Sequence, residues 1–394
     1  MSTTLKDQAA IVGIGATEFS KNSGRSELQL ACEAVSAAID DAGIDPGEID
    51  GMTTFTMDMT DDIEIARAVG IGGLTFQSQV PYGGGAALGT LHQAAMAVAT
   101  GSAKYVVCYR DLNGRSGQRY SDGVSGNILT SDAIHWSWYI PSGLMTPTSW
   151  VAMVTQRYMH DTGTTSRDLA EVAIQTRSHA VNNPNAVFYQ RPLTVEEHQE
   201  SRMIVDPLRL YDCCLETDSA CACIVTTPER AKDLKQPPAL IRGVAQGSGA
   251  DQEQMTSFYR PDITELGEIN AVAEQIYAQS GLTPDDIDAA ILYDAFTAIV
   301  LFQLEAYGFC KKGEAKDFVK NGNISVGGRL PVNTHGGQLS EAYIHGMNGV
   351  NEGVRLVRGT SVNQPEKGDN VLVTAGVGVP SSAMIIGNME QLDA

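Results

Sequence analysis

The chain is 394 residues long, more than one ordinary core of about 100–200 residues fills, so two fused or duplicated domains is the expectation. Its 43% hydrophobic and 19% charged residues are those of a globular protein, and 27 Lys+Arg against 47 Asp+Glu leave a formal charge of -20, which repels phosphate backbones and excludes nucleic acid as a partner. No run approaches the roughly 18 consecutive apolar residues of a membrane helix, the start has no basic-then-apolar leader, and seven cysteines fit reduced thiols, so a cytoplasmic chain without a membrane span or disulfide framework is expected.

Residues 9–15 read as a buried strand, a short apolar run ending in glycines. Gly13-Ile14-Gly15 lacks the third glycine of a dinucleotide fingerprint, since Glu18 stands there, so NAD is not expected. From Ser26 to Ala42 apolar residues recur at helical spacing, and Gly43 sits where a left-handed cap is needed. The acidic run Asp58–Asp62 reads as solvated surface. Gly83-Gly84-Gly85 precedes a helix ending near Thr100, and Tyr105–Tyr109 follows as a strand that would expose a sheet edge, an argument for a homodimer. Material from Asp111 to about Arg209 has no counterpart later and holds Trp136, Trp138 and Trp150, which are candidates for a pocket wall. Cys213, Cys214, Cys221 and Cys223 lack paired zinc spacing, and Cys221–Val225 alternates as a strand does, so no metal is expected.

Beyond Gln236-Pro237-Pro238 the pattern starts again. Ala239–Val244 reads as a strand and Glu268–Gln279 as a helix. Ser280-Gly281-Leu282-Thr283-Pro284-Asp285-Asp286-Ile287-Asp288 then repeats the grammar of Ala42-Gly43-Ile44-Asp45-Pro46-Gly47-Glu48-Ile49-Asp50. Gly336-Gly337 precedes a helix ending near Val357, and Asn370–Thr374 is again a strand. Two similar α/β halves, 1–236 and 237–394, with a loop insertion at about 111–209 in the first, are the natural reading.

Four segments sharpen it: Val80-Pro81-Tyr82-Gly83-Gly84-Gly85; Pro207–Cys214 followed by Thr217-Asp218-Ser219-Ala220; Tyr293-Asp294-Ala295-Phe296; and Asn333-Thr334-His335-Gly336-Gly337. In this order they resemble the thiolase fold, duplicated βαβαβαββ halves layered α-β-α-β-α, in its sterol-carrier-type branch. That resemblance puts Gly84 at the nucleophilic cysteine, Tyr293 at a family Asn or His, Tyr343 at the histidine of a Gly-His-Pro turn, and Thr374 at a second cysteine. Glycine cannot attack a thioester, so cysteine-dependent acyl transfer is not expected, whereas two tyrosines can still move protons.

The pattern is similar to that of actinobacterial steroid side-chain aldolases, which work with an OB-fold partner of the DUF35 type. The resemblance implies retro-aldol cleavage of a 17-hydroxy steroid β-hydroxyacyl-CoA to a ring ketone and propionyl-CoA, with no cofactor beyond the CoA of the substrate, and a homodimer assembling with its partner as α2β2. It implies catalysis by Tyr293 and Tyr343, helped by His345 or Asp294, and backbone oxyanion donors at Gly84 and at Gly376 and Gly378. Taken alone, Tyr293 reads as an ordinary strand-end aromatic, and His335 and His345 are open between structural hydrogen bonding and the site. His92, His160, His179 and His198 read as helix or surface residues. The rival readings are a non-catalytic acyl-CoA-binding subunit and a thiolase-like acyltransferase.

Overall fold

Local signals set the first unit. Ser26 caps helix α1 (Glu27–Ala42) by accepting from the Gln29 N–H, and Gly43 closes it in the left-handed region. The glycines of strand β1 (Ala10–Ala16) let this helix sit directly on the sheet, for a side chain at Gly13 or Gly15 would meet the carbonyls of Ala38 and Ala34. In the computed structural model the described residues are 5–58, 60–123, 136–253, 256–378 and 380–393.

Apart from 3₁₀ turns and the single helical turn Pro228–Ala231, the remaining described elements of the first half are β2 (Gly51–Phe55), α2 (Asp62–Val69), β3 (Phe76–Val80), α3 (Ala86–Ala99), β4 (Val106–Asn113), α4 (Pro147–Thr162), α5 (Ser166–Asn182), α6 (Val195–Glu200), the ribbon β5 (Met203–Val205) and β6 (Leu208–Arg209), and β7 (Asp218–Thr226). The second half holds β8 (Ala239–Gly247), α7 (Gly267–Ser280), β9 (Ala289–Ile291), α8 (Thr297–Ala306), α9 (Met347–Arg358), β10 (Asn370–Ala375) and β11 (Ser381–Gly387). The strands join in the order β3-β2-β4-β7-β1-β8-β11-β10-β9.

That order is a palindrome of the duplication. Antiparallel β1–β7 matches β8–β11, antiparallel β7–β4 matches β11–β10, and parallel β4–β2 matches β10–β9. The halves meet where β1 pairs β8 through only Ala10↔Leu240 and Ile11↔Ala239. The repeated grammar after α1 and α7 folds alike, with Gly43 and Gly281 both left-handed and a short 3₁₀ turn at Pro46–Glu48 and at Pro284–Asp286.

Strand alternation divides the cores. Cys108, Cys221, Cys223 and Val225 face one core with α3 and α9, while Tyr109, Ala220, Ala222 and Ile224 face a second core under α1. Helix α3 packs against β2, β4 and β7 of one half and β8, β10 and β11 of the other, so the glycine turn ahead of it is held by both halves. This gives helices outside each half-sheet and a central helical layer between them.

Three expectations change. The strand at 105–109 is not an edge: β4 lies between β2 and β7, because parallel pairing with β2 covers it, and the free edge is β3. Asp58 is not solvated surface; its carboxylate is fully buried in an ion pair with Arg110. The insertion leaves the sheet after Asn113 and returns at Asp218. Of the histidines set aside, His160 is exposed, but His179 and His198 are buried and bonded, His179 Nδ1 to the Asn333 carbonyl at 3.2 Å and His198 Nε2 to Asp212 Oδ1 at 2.9 Å.

Candidate active site

The glycine turn before α3 forms the floor. A Cβ on Gly84 would collide with the Tyr293 hydroxyl, so the phenol fills the space that a side chain at Gly84 would take. A Cβ on Gly376, at φ 78, would collide with the Gly84–Gly85 backbone, which brings the turn after β10 against the turn before α3. The Tyr293 and Tyr343 phenols stand close enough for each to shift the other's titration. Tyr120, from the insertion, stands edge-on to Tyr343 at 5.8 Å and donates to the Cys214 carbonyl at 3.0 Å.

Tyr293 follows β9 and is clamped at its backbone. Its N–H donates to Thr374 Oγ1 at 2.9 Å, and its carbonyl accepts from Gln303 Nε2 at 2.7 Å. Thr374 in turn donates to Gln303 Oε1, closing a buried ring of three residues from three elements. One residue earlier, the Leu292 N–H donates to Asn333 Oδ1 at 2.8 Å.

Both phenols stay neutral near neutral pH. Burial, then the Tyr343 phenol and the Cys214 thiol, hold Tyr293 well above the usual tyrosine value. Burial also raises Tyr343, but its interaction with Tyr293 and the Arg110 charge pull it back, so Tyr343 is the partner whose ionised form the pair favours. Burial of this kind makes neither a free base.

His345 sits beside them in the left-handed region, φ 49, with its ring edge-on to Tyr343 at 4.8 Å. Arg110 Nε donates to His345 Nδ1 at 3.0 Å, and Arg110 Nη1 pairs with Asp58 and donates to the Asp111 carbonyl at 2.5 Å. The Arg110 side chain is 2% exposed and the Asp58 side chain not at all.

Other candidates stand elsewhere. Asp294 is buried and accepts from the Gln338 N–H at 2.7 Å, closing the Gly337–Glu341 turn; burial pushes its carboxyl up to about 7 against the pull of those backbone donors. Of the turn glycines, Gly84 lies against the Tyr293 hydroxyl and Gly376 against the Gly84–Gly85 backbone, whereas the Gly378 N–H acts on Glu268, pulling against the burial that raises its carboxyl. His335 lies 3.8 Å from Glu341 with its pKa held down at about 3 by burial, in a polar cluster with Asn183 and Asn348. Trp136 and Trp150 stack at 4.7 Å and pack with Tyr139 in a small core of their own, while Trp138 is exposed. The insertion residues 124–135 lie outside the described residues.

Sequence reasoning missed Arg110, Asp58, Gln303 and Tyr120. The signal for two of them was present: an arginine at the end of Val106-Val107-Cys108-Tyr109 and a lone amide in the apolar α8 are polar groups that burial obliges to pair.

A family model described as Thiolase C-terminal domain-like matches residues 247–387. The chain is 62% identical over 98% of its length, and 99% of the relative's, to a steroid side-chain-cleaving aldolase of Thermomonospora curvata. It is 58% identical over 97% of its length to a 17-hydroxy-3-oxo-4-pregnene-20-carboxyl-CoA lyase of Mycobacterium tuberculosis, all of which it covers. The solved structure of an Ltp2-ChsH2(DUF35) aldolase superposes with a TM-score of 0.94 at 61% identity, over 98% of this chain and 99% of that one.

Proposed function

The chain belongs to the steroid side-chain-cleaving aldolases, a branch of the thiolase superfamily, and from that premise we propose that it cleaves the side chain of a 17-hydroxy steroid acyl-CoA by a retro-aldol reaction. The observation that carries this is the exchange at the glycine turn, where no nucleophile stands and the Tyr293 hydroxyl takes up its space beside a second phenol. An acyl-enzyme has no atom to form on at this turn, whereas proton transfer needs only what is present.

The chemistry balances with two neutral phenols. The 17-hydroxyl gives its proton to the Tyr293 oxygen, Tyr293 passes its own proton to the neighbouring Tyr343, and Tyr343 delivers its proton to the side-chain carbon. The bond between C17 and that carbon breaks as its electron pair becomes the thioester enolate and then the new C–H bond. A 17-ketone and a propionyl thioester result, and each phenol ends as it began. The direction is supported by the pair's preference for negative charge on Tyr343, which makes Tyr293 the donor within it. Backbone N–H groups at Gly84 and Gly376, whose turns press together, are assigned as donors for charge on the thioester oxygen. His335 and the Trp136/Trp150 cluster, with exposed Trp138, are assigned to the surroundings of the substrate path rather than to the reacting atoms.

The substrate brings its own CoA and the reaction changes no oxidation state overall, so no cofactor is assigned. Assembly with an OB-fold DUF35-type subunit is supported by the name of the solved relative. A homodimer is supported by the free edge of β3, and α2β2 follows if both contacts form together. No helix of the described residues is long and apolar enough to cross a membrane, in keeping with a cytoplasmic assignment.

The test is incubation of the purified chain, with and without a DUF35-type partner, with a 17-hydroxy steroid acyl-CoA. The expected products are the 17-ketone and propionyl-CoA; binding of the acyl-CoA without either product in both arms overturns the lyase in favour of a non-catalytic subunit.

A further inference from the structure

We infer that Arg110, anchored by Asp58, holds the His345 ring as the tautomer with its proton on Nε2, making His345 a hydrogen-bond donor to the thioester oxygen and not a base. The identity of that oxygen rests on the aldolase reading; the position of the proton follows from the hydrogen bonds alone. A guanidinium donates and does not accept, so His345 Nδ1, 3.0 Å from Arg110 Nε, must present its lone pair. The single proton of a neutral imidazole is then on Nε2.

That nitrogen faces the glycine turn, 2.9 Å from the point a Cβ on Gly83 would occupy, and the next residue is the one whose Cβ would strike the Tyr293 hydroxyl. The hydrogen bonds of the described residues engage only Nδ1 of the ring. The Nε2–H and the two phenols therefore flank one turn.

Each neighbour contributes to the lock. Asp58 and the Asp111 carbonyl take Arg110 Nη1, which orients the planar fork so that Nε meets the ring. Phe55 lies under the guanidinium at 5.4 Å and beside the imidazole at 6.1 Å. The charged or titratable groups facing the ring are Arg110, Asp58 beyond it, and the phenols of Tyr343 and Tyr293. Burial and the Arg110 charge both disfavour imidazolium and hold the ring well below the usual histidine value. His345 is thus the catalytic donor, while Arg110 and Asp58 are positioning residues that act through it.

Nitrogen-15 NMR of the histidine-labelled full chain, assigned with His345→Gln, reads the tautomer directly and needs no substrate. The expected result is a protonated Nε2 and an unprotonated Nδ1 from pH 5.5 to 8; an Nδ1–H tautomer or an imidazolium at pH 7 overturns the proposal. Kinetics of the complex with its OB-fold partner supply the second reading. His345→Leu and His345→Gln carry the same backbone strain, but only glutamine keeps an N–H donor. His345→Leu should lose about 10²–10³ in kcat, as removal of one oxyanion donor does, with KM for the acyl-CoA within about threefold, and His345→Gln should regain at least about tenfold of the loss. Equal kcat in the two variants overturns the donor role. In Asp58→Asn/Arg110→Gln the ring is free to protonate, so kcat relative to wild type should rise as pH falls from 8 to 5.5, because imidazolium again carries an Nε2 proton. A flat ratio overturns the positioning role. Absence of any cleavage by the wild-type complex would instead sink the aldolase reading and leave the NMR result standing.

Discussion

Single hydroxyl groups carry the chemistry assigned here. Tyr293→Phe and Tyr343→Phe keep the rings in place and remove one link each from the proton chain. Each should cost about 10²–10⁴ in kcat, and the double variant much less than the product of the two losses, because both act on one transition state. Near wild-type turnover in both single variants would end the tyrosine mechanism. Thr374 acts at one remove, through the Tyr293 N–H and Gln303. Thr374→Val is isosteric but leaves that N–H and the Gln303 carbonyl oxygen unpaired in the core, at about 1–3 kcal/mol for a buried unsatisfied group. It should lower the thermal midpoint and lower kcat with little change in KM. An unchanged kcat would show that Tyr293 is positioned without it.

At the level of elements, the site depends on two turns pressed together, one before α3 and one after β10. Gly84 is the point where a backbone element and a side chain compete for the same volume. Gly84→Ala should displace the Tyr293 phenol and lower kcat at least as far as Tyr293→Phe does, with an overpacking cost of about 1–3 kcal/mol in a denaturant titration. Retention of wild-type kcat would mean that the phenol does not reside against that turn during turnover. In the proposed mechanism the same contact gives the missing nucleophile a replacement: its volume is filled by the Tyr293 hydroxyl, to which the proton transfer is assigned.

For the whole molecule, burial of acidic groups shapes stability against pH. Burial lifts Asp294 to about 7 from 3.8 and Glu341 to about 8 from 4.5, and raises Asp111 in the same direction. Between the unfolded and folded values the native chain holds protons that the unfolded chain has released, so the contribution of these carboxyls to stability falls as pH rises from about 4 to about 8, while His179, His335 and His345, whose pKa values burial lowers, act in the opposite sense only below about pH 6.5. The formal charge of -20 adds self-repulsion at the alkaline end. The thermal midpoint should be several degrees higher at pH 6 than at pH 8.5, and Asp111→Asn should raise it at pH 8.5 while changing it little at pH 5. Equal midpoints for the wild type at pH 6 and pH 8.5 would contradict the burial argument.

Local chemistry determined much of this protein in the sequence itself. Apolar runs, the Ser26 and Gly43 caps and the repeated turn grammar after Ala42 and Ser280 specify strands, helices and the duplication, because each depends on residues a few positions apart. The resemblance of the glycine-turn segments to the thiolase fold then singled out Gly84, Tyr293 and Tyr343. What required the tertiary structure were relations between residues far apart in the chain. Only sheet order shows that β4 is interior and β3 the edge. Only packing turns Asp58 from an acidic surface residue into the buried partner of Arg110, and Arg110, 235 positions from His345, into the group that sets its tautomer. A hydrogen bond fixes a proton only when its donor and acceptor are brought within about 3 Å, and that distance is a product of folding.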